Sequence, residues 1–599
     1  MDPARIQSEF PAPSYRGAQE TALQRIRAAF EDGNDVVLVR APTGSGKSLL
    51  ARAIAGCARR PGEAEPHQPV GAYYTTPQVS QLDDVAGDEL LEDLSIIRGK
   101  SNYKCILPGE SDTPVDEAPC ARERGYNCPV EHRCPYFSDR AIASNRSIAA
   151  MTLAYFMQTA GSDVFGQRDV VVVDEAHGLA EWAEMYATIE LTPGWVPSAV
   201  WEATTPPNIE NLGDAADYAE RLEAACDRRL TELRSEAELD REQVAERDRL
   251  TDLIRELGWF VEDLRDTEST TTWVVDQPDG AGTAVTIKPM DPARYLHHTV
   301  WDRGTKFALL SATILDKDAF CRGSGLDPAN VALVDVPHTF PVENRPLYDT
   351  AQGKMTYEHR DETIPKIARL VVRLMQQHPE EKGLVHAHSY AIAERLREHL
   401  EDFGVGARVR GHDSDTRDAA LSGWKRSSGA DVFVSVKMEE ALDLNGDLCR
   451  WQVLCKAPYP NTRDSRVARR LEDGQWGWYY RTALRTVIQA CGRVVRAPDD
   501  YGATYLADSS LLDLFERARH DMPGWFAEQV DLMSTPDLPA FDPQAAVGDG
   551  GGSGGTRGGS RRRTGDGGSG SRSGGRSGRS GSSGSQDPAD HPLSDVWGE

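Results

Sequence analysis

Six short runs of branched and aromatic residues punctuate the chain, and each ends in glycine, hydroxyl or acidic residues. They are Val36–Arg40, Ala72–Thr76, Asp169–Val173, Phe307–Leu310, Lys382–His386 and Asp431–Val436. Runs this apolar read as strands buried on both faces, and the helical patterns between them predict an α/β chain with parallel sheets. Leu23, Ile26 and Phe30 mark one face of a helix that ends near Gly33. Between about 191 and 300 the rhythm changes. Tyr218, Leu222, Cys226 and Leu233 form one helical stripe, and Leu250, Ile254, Leu257, Val261 and Leu264 form another. Both read as core stripes of a helical insertion. Trp273-Val274-Val275 and Ala284-Val285-Thr286-Ile287, joined through Pro278-Asp279-Gly280, predict a hairpin.

The first strand runs into Ala41-Pro42-Thr43-Gly44-Ser45-Gly46-Lys47-Ser48, with helix formers after it. Glycines here let backbone N–H groups face an anion at a helix N-terminus. Lys47 would then reach the β- and γ-phosphates of a nucleotide, and Ser48 would sit on Mg²⁺. Asp174-Glu175-Ala176-His177 follows the third strand, where an α/β sheet places its ligand. Asp174 would hold Mg²⁺ through water, Glu175 would polarise the attacking water, and His177 would couple the site to a neighbouring domain. Gln19, upstream of the loop, is a candidate for reading adenine. Ser311-Ala312-Thr313 ends another strand and is a candidate coupling element. Arg493 and Arg496, three apart in Gln489–Arg496, are expected on one helix face, where they could stabilise phosphoryl-transfer charge.

Hydroxyls at strand ends, Thr75 and Thr76 in the first half and Ser389 and Ser435 in the second, suit contacts to a phosphate backbone. His386 and His388 read as satisfied polar groups rather than metal ligands. Trp476, Trp478, Tyr479 and Tyr480 read as core rather than as a shelf for bases. Cys105, Cys120, Cys128 and Cys134 are spaced C-x14-C-x7-C-x5-C. Four thiolates on a loop-rich segment could bind Zn²⁺ or an iron–sulfur cluster, and the spacing does not choose. The other six cysteines are scattered.

At 599 residues the chain has room for several domains. Its net charge is −27, and only 12 of its 67 basic residues are Lys. That balance suggests a halophile, in which salt screens the repulsion and weakens the counterion-release contribution to nucleic-acid affinity. No run reaches the ~20 apolar residues of a membrane span, and the opening residues do not read as a signal peptide, so a cytoplasmic protein with no membrane partner is expected. From Gly548 to Ser585 the composition collapses to Gly, Ser and Arg, with seven Arg against two Asp. This predicts a disordered tail, able to grip nucleic acid or serve as a linker. Pro592–Trp597 could dock a protein partner.

The ordered set is Gln19, APTGSGKS (41–48), TTP (75–77), four cysteines, DEAH (174–177), SAT (311–313), HAHS (386–389), EEALDLNGD (439–447) and QACGRVVR (489–496). Over roughly residues 10–530 it resembles the XPD/DinG group of superfamily 2 iron–sulfur helicases. Pro337–Pro341 and Asn344-Arg345-Pro346 are similar to that group's entry into its second motor domain.

The resemblance implies two RecA-like P-loop motor domains, with a cluster insertion and a helical arch in the first. The expected map is motor 1 at 1–99, 141–190 and 286–335, the cluster domain at 100–140, the arch at 191–285, motor 2 at 336–542 and the tail at 543–599. It implies ATP and Mg²⁺ between the motors, with Asp443 and Gly446 joining the nucleotide set and Gln489 joining the two arginines. It also implies a [4Fe–4S] cluster on the four cysteines and 5′→3′ translocation by a monomer on single-stranded DNA. Forked or tailed duplexes and RNA–DNA hybrids would be the substrates. An ATP-driven remodeller that separates no strands and a zinc-containing scaffold are the rival readings.

Overall fold

The computed structural model describes residues 1–547 apart from 66, 124–125, 163, 237, 267–271, 414–415, 437–443 and 445. The expected disordered tail from Gly548 onward therefore lies outside the described residues. Residues 543–547, expected as its beginning, form a short helix whose Ala546 is buried in the second lobe's core, so that lobe extends to Val547.

Lobe 1 is a seven-stranded parallel sheet. Its strands are β1 (Val36–Arg40), β2 (Ala72–Thr76), β3 (Ser95–Ile96), β4 (Ile148–Thr152), β5 (Arg168–Val173), β9 (Gly304–Ser311) and β10 (Val331–Asp335), in the order β10-β1-β9-β5-β2-β4-β3. Three strands between β5 and β9 in the chain make a separate antiparallel sheet, β6 (Ile189–Leu191), β7 (Trp273–Asp276) and β8 (Val285–Pro289), ordered β6-β8-β7. Lobe 2 is a six-stranded parallel sheet of β11 (Leu347–Gly353), β12 (Gly383–His386), β13 (Val409–Arg410), β14 (Val432–Ser435), β15 (Trp451–Leu454) and β16 (Ala503–Asp508), ordered β11-β16-β15-β12-β14-β13. The branched side chains of β1, β5 and β9 are buried on both faces, which the helices flanking a parallel sheet require.

The helices used below are α1 (Gln19–Glu31), α2 (Lys47–Gly56), α3 (Val79–Gly87), α4 (Pro135–Asn145), α5 (Leu179–Tyr186), α6 (Leu212–Ser235), α7 (Arg241–Arg265), α8 (Arg360–Gln377), α9 (Tyr390–Asp402), α10 (Ser465–Glu472) and α11 (Trp476–Cys491). α6 and α7 pack together through the stripes expected of them, with Tyr218, Leu222, Cys226, Leu233, Leu250, Leu257 and Val261 buried. Their small core also takes Ile189 and Leu191 of β6 and Val285 and Ile287 of β8. The expected edges of the insertion, 190/191 and 285/286, fall inside β6 and β8. Among the described residues no helix is long and apolar enough to cross a membrane.

Candidate nucleotide site and interdomain cleft

β1 delivers the chain to a turn in which Gly44 and Gly46 both adopt φ of 78°. Gly46 is the N-cap of α2, and no side chain caps that helix, so its first N–H groups remain open to an anion. A Cβ on Gly46 would lie 2.3 Å from Nε2 of Gln19, and one on Gly44 would lie 2.5 Å from Cζ of Phe340. The buried Gln19 amide closes over the loop, donating to the Ser45 carbonyl at 3.0 Å and accepting from the Arg16 N–H at 2.9 Å. Ala41 is buried, its N–H bonded to the Ser311 carbonyl. Pro42 accepts from the Ser45 hydroxyl and N–H. Thr43 lies against Gly492 of lobe 2.

Lys47 Nζ sits 2.8 Å from Glu175 Oε1, with both side chains mostly buried. Burial works to raise the Glu175 pKa, but the Lys47 ammonium and then His177 overcome it and hold the carboxylate well below its usual range. Asp174 goes the other way: burial, with Glu175 beside it, pushes it up to about 6. The Tyr74 hydroxyl on β2 reaches both Ser48 and Asp174, at 3.4 Å from the latter. The sequence places Tyr74 in a strand and gives no sign that its hydroxyl links the two residues expected to hold Mg²⁺. Only the pairing of β2 beside β5 brings it there.

The acidic turn also faces lobe 2. His177 Nδ1 is 2.9 Å from the Ser311 hydroxyl, which also receives the Thr313 N–H. Its Nε2 is 2.6 Å from the Gln489 amide nitrogen of α11. Arg485, one turn earlier on α11, donates to the His177 carbonyl at 3.1 Å and pairs with Glu181 of α5 at 2.7 Å. Arg493 and Arg496 are half-buried, but they do not share a helix face as expected. α11 stops at Cys491, Gly492 caps it, and both arginines lie in the turn that follows. That turn carries the Arg496 carbonyl to 2.8 Å from a Cβ on Gly44, placing the segment on the phosphate loop. Asp500 ties it down by accepting from the backbone N–H groups of Arg496 and Gly446. Asp443 lies outside the described residues.

The four candidate nucleic-acid hydroxyls are all buried and internally bonded. Thr75 Oγ1 donates to the Val172 carbonyl and Thr76 Oγ1 to the Gln78 carbonyl. Ser389 caps α9 by accepting from the Ile392 N–H, and the Ser435 hydroxyl donates to the Val436 carbonyl and meets His412. In this conformation the hydroxyls tie strands and helix ends together rather than facing solvent. The aromatic group also departs from expectation. Trp476 is 48% exposed, while Trp478, Tyr479 and Tyr480 are half-buried. Tyr479 stacks on Tyr459 with ring centres 5.1 Å apart. These rings sit at the exposed start of α11, whose buried face begins at Thr482. His386 is buried, with its Nε2 3.0 Å from the Gln452 side-chain oxygen.

Cys105 and Cys134 are buried, and Cys120 and Cys128 half-buried. Burial and then the thiols of Cys128, Cys105 and Cys134 raise the Cys120 pKa. The Leu107 N–H points at Cys105 Sγ at 3.5 Å, and Cys134 is the N-cap of α4. No three of these sulfurs lie within 4.8 Å of one another.

Two family models match the chain. One is described as a helicase C-terminal domain and covers residues 371–529. The other, DEAD_2, covers residues 126–194. The chain is 32% identical over 170 residues to the human regulator of telomere elongation helicase 1, covering 25% of this chain and 14% of that protein. It is 25% identical over 264 residues to the Caenorhabditis elegans ATP-dependent DNA helicase chl-1, covering 41% of this chain and 30% of that protein. The chain thus spans less than a third of the length of either relative. Among solved structures, S. tokodaii Xpd4 superposes with a TM-score of 0.54 at 17% identity, over 87% of this chain and 99% of its own. A structure titled XPD helicase gives 0.53 at 17% identity, over 87% and 98%.

Proposed function

We propose, from the premise that this chain is an XPD/DinG-like superfamily 2 helicase, that it hydrolyses ATP between its two lobes to move along single-stranded DNA and separate duplexes. One observation carries the reading. The contacts Lys47–Glu175–His177–Gln489 run unbroken from the phosphate loop to lobe 2.

Lys47 is neutralised by Glu175 in the resting cleft, and a triphosphate would compete for its ammonium. Glu175, once released, has its carboxylate free to polarise water as general base. His177 would report that release to Gln489, and closure would bring Arg493 and Arg496 to the γ-phosphate, where such arginines are worth ~10³–10⁵ in rate. Ser48 and Asp174 fit Mg²⁺ as hydroxyl and carboxylate donors, and the ion would supply charge neutralisation at the β- and γ-oxygens. Gln19, Gly446 and Asp443 complete the proposed nucleotide set. With Thr75, Thr76, Ser389 and Ser435 buried, DNA contact near them would fall to the neighbouring backbone N–H groups.

Cys105, Cys120, Cys128 and Cys134 are proposed to hold a [4Fe–4S] cluster. The resemblance to the XPD/DinG group is what favours that over zinc. The cluster would staple a small loop-rich segment.

Strand displacement on 5′-tailed, 3′-tailed, forked and RNA–DNA hybrid duplexes, at low and molar salt, tests the reading. ATP-dependent separation of 5′-tailed and forked duplexes is expected, with activity best at high salt if the acidic, lysine-poor surface is a halophilic adaptation. Hydrolysis without strand separation on any of these would favour the remodeller instead.

A further inference from the structure

The lobes meet a second time, away from the nucleotide, through charges that are almost wholly buried. α10 of lobe 2 begins at Asp464, whose Oδ1 caps the helix by accepting from the N–H groups of Arg466 and Val467. Its Oδ2 pairs with Lys288 Nζ of β8 at 2.8 Å, the two side chains being 4% and 9% exposed. Lys288 also pairs with Asp276 of β7 at 2.9 Å, and Asp276 accepts from the Ser465 hydroxyl at 2.6 Å. The start of α10 is thereby fixed to two strands at the base of the helical insertion.

One turn further on, α10 is fixed to lobe 1. Arg470 pairs with the buried Glu184 of α5 and donates to the Met290 carbonyl, just past β8, at 3.1 Å. Arg466 flanks the same carboxylate at 3.6 Å. α5 is the helix that leaves the acidic turn, beginning two residues after His177. A cavity of about 620 Å³ runs from His177 past Glu181 to Arg470 and Met290. It leaves α10 and α11 as the bridges across this face.

Ions this buried resist separation, because an unpaired charge left in the interior is strongly unfavourable. The nucleotide-side contacts are different in kind: hydrogen bonds from Gln489 and Arg485 to His177, an Arg485–Glu181 pair more exposed than those of α10, and a Lys47–Glu175 pair within lobe 1 that a phosphate can replace. When the cleft changes, α5, the base of the insertion and α10 therefore have to move as one block relative to the lobe 1 sheet. We infer that Lys288, Asp464, Glu184 and Arg470 are positioning residues that couple the nucleotide state of the cleft to the position of the helical insertion. The inference rests on the proposed ATP-driven function, and concerns how its motion reaches the insertion.

The test uses the full chain with Lys288→Met/Asp464→Asn, which removes both members of the central pair, and Lys288→Arg as the conservative control. Fluorophores carried by unnatural residues at positions 32 on lobe 1 and 227 on α6 report the distance to the insertion. Addition of Mg²⁺-ADP-beryllium fluoride should change that distance in the unmodified chain and in Lys288→Arg, but not in the double variant. DNA-stimulated hydrolysis should stay within about twofold while strand separation falls about tenfold, the size of a typical coupling free energy. A folded double variant with an unaltered distance response and an unaltered ratio of separation to hydrolysis would overturn the inference alone. An unmodified chain that hydrolyses no ATP would overturn the parent reading and this one with it.

Discussion

The two lobes are built on the same plan, yet the strand-to-helix turn after β1 is open at its helix N-terminus and the one after β12 is capped. In lobe 1, β1 leads into α2 through Gly46, whose lack of a side chain leaves the helix N-terminus open. In lobe 2, β12 leads into α9 through Ser389, whose hydroxyl takes the Ile392 N–H and fills that position from within. An open N-terminus offers its N–H groups and partial positive charge to a ligand, and a capped one has spent them on stability. The lobes differ in titration as well. Asp174 ends β5 with its pKa raised to about 6 by burial and Glu175, whereas His388 follows β12 with its pKa lowered to about 4 by burial and then Lys456. In the proposed function, lobe 1 would bind the nucleotide and lobe 2 would contribute the surface that closes on it.

Removing the charge at the open helix end should break the contrast most completely. Lys47→Ala is expected to lower DNA-stimulated hydrolysis by about 10²–10³, with a smaller fall in melting temperature because the buried Glu175 loses its ammonium partner. Retained hydrolysis would mean that the anion site lies elsewhere. Restoring a side chain at the helix end is milder. Gly46→Ala combines a φ of 78° with a contact to Gln19, and Gly404→Ala in lobe 2 has a φ of 79° with nothing within 4 Å. Both should lose ~1–2 kcal/mol of stability to left-handed strain. Only Gly46→Ala should also weaken fluorescent ATP-analogue binding.

Acidification from pH 7 to pH 5 should move the lobes in opposite directions. The raised pKa of Asp174 gives stability that is present below its ordinary 3.8 and lost as pH rises through about 6, so lobe 1 gains on acidification. The lowered pKa of His388 gives stability that is present above its ordinary 6.5 and lost as pH falls towards 4, so lobe 2 loses. Glu175, held well below 4.5, contributes its change below this window. Hydrogen exchange, corrected for intrinsic rates, should show protection rising around β5 and falling around β12 in the nucleotide-free protein. His388→Asn should abolish the second change.

The smallest effect concerns the cap. Ser389→Ala should cost about 1 kcal/mol of lobe 2 stability and leave single-stranded DNA affinity unchanged. The reverse result would restore the hydroxyl to the role first expected of it, as a phosphate contact.

What could be read in the sequence follows from how local each feature is. The strand, glycine turn and Lys47 lie within a dozen residues, and the acidic strand end is equally compact. Positive φ, strand burial and helix start were therefore all legible there. Features set by the packing of distant segments were not. Nothing near Tyr74 announces that its hydroxyl meets Ser48 and Asp174, and nothing near Lys288 announces Asp464, 176 residues away. Three-residue β6 is too short for an alternating pattern. Gly492 could have signalled that α11 stops before Arg493, because a glycine at a helix end is an ordinary stop signal. The aromatic residues at 476–480 resemble core by composition, and only the exposure of the first turn of α11 shows otherwise.

The claim on which the rest depends is that lobe 2 completes a site begun by lobe 1. Arg493→Ala measures it directly, with fluorescent ATP-analogue affinity and single-stranded-DNA-stimulated hydrolysis read on the same preparation. The expected result is affinity within about threefold of the unmodified chain and hydrolysis lower by ~10³–10⁵. Hydrolysis at the unmodified rate would contradict the account, because the nucleotide would then be turned over by lobe 1 alone.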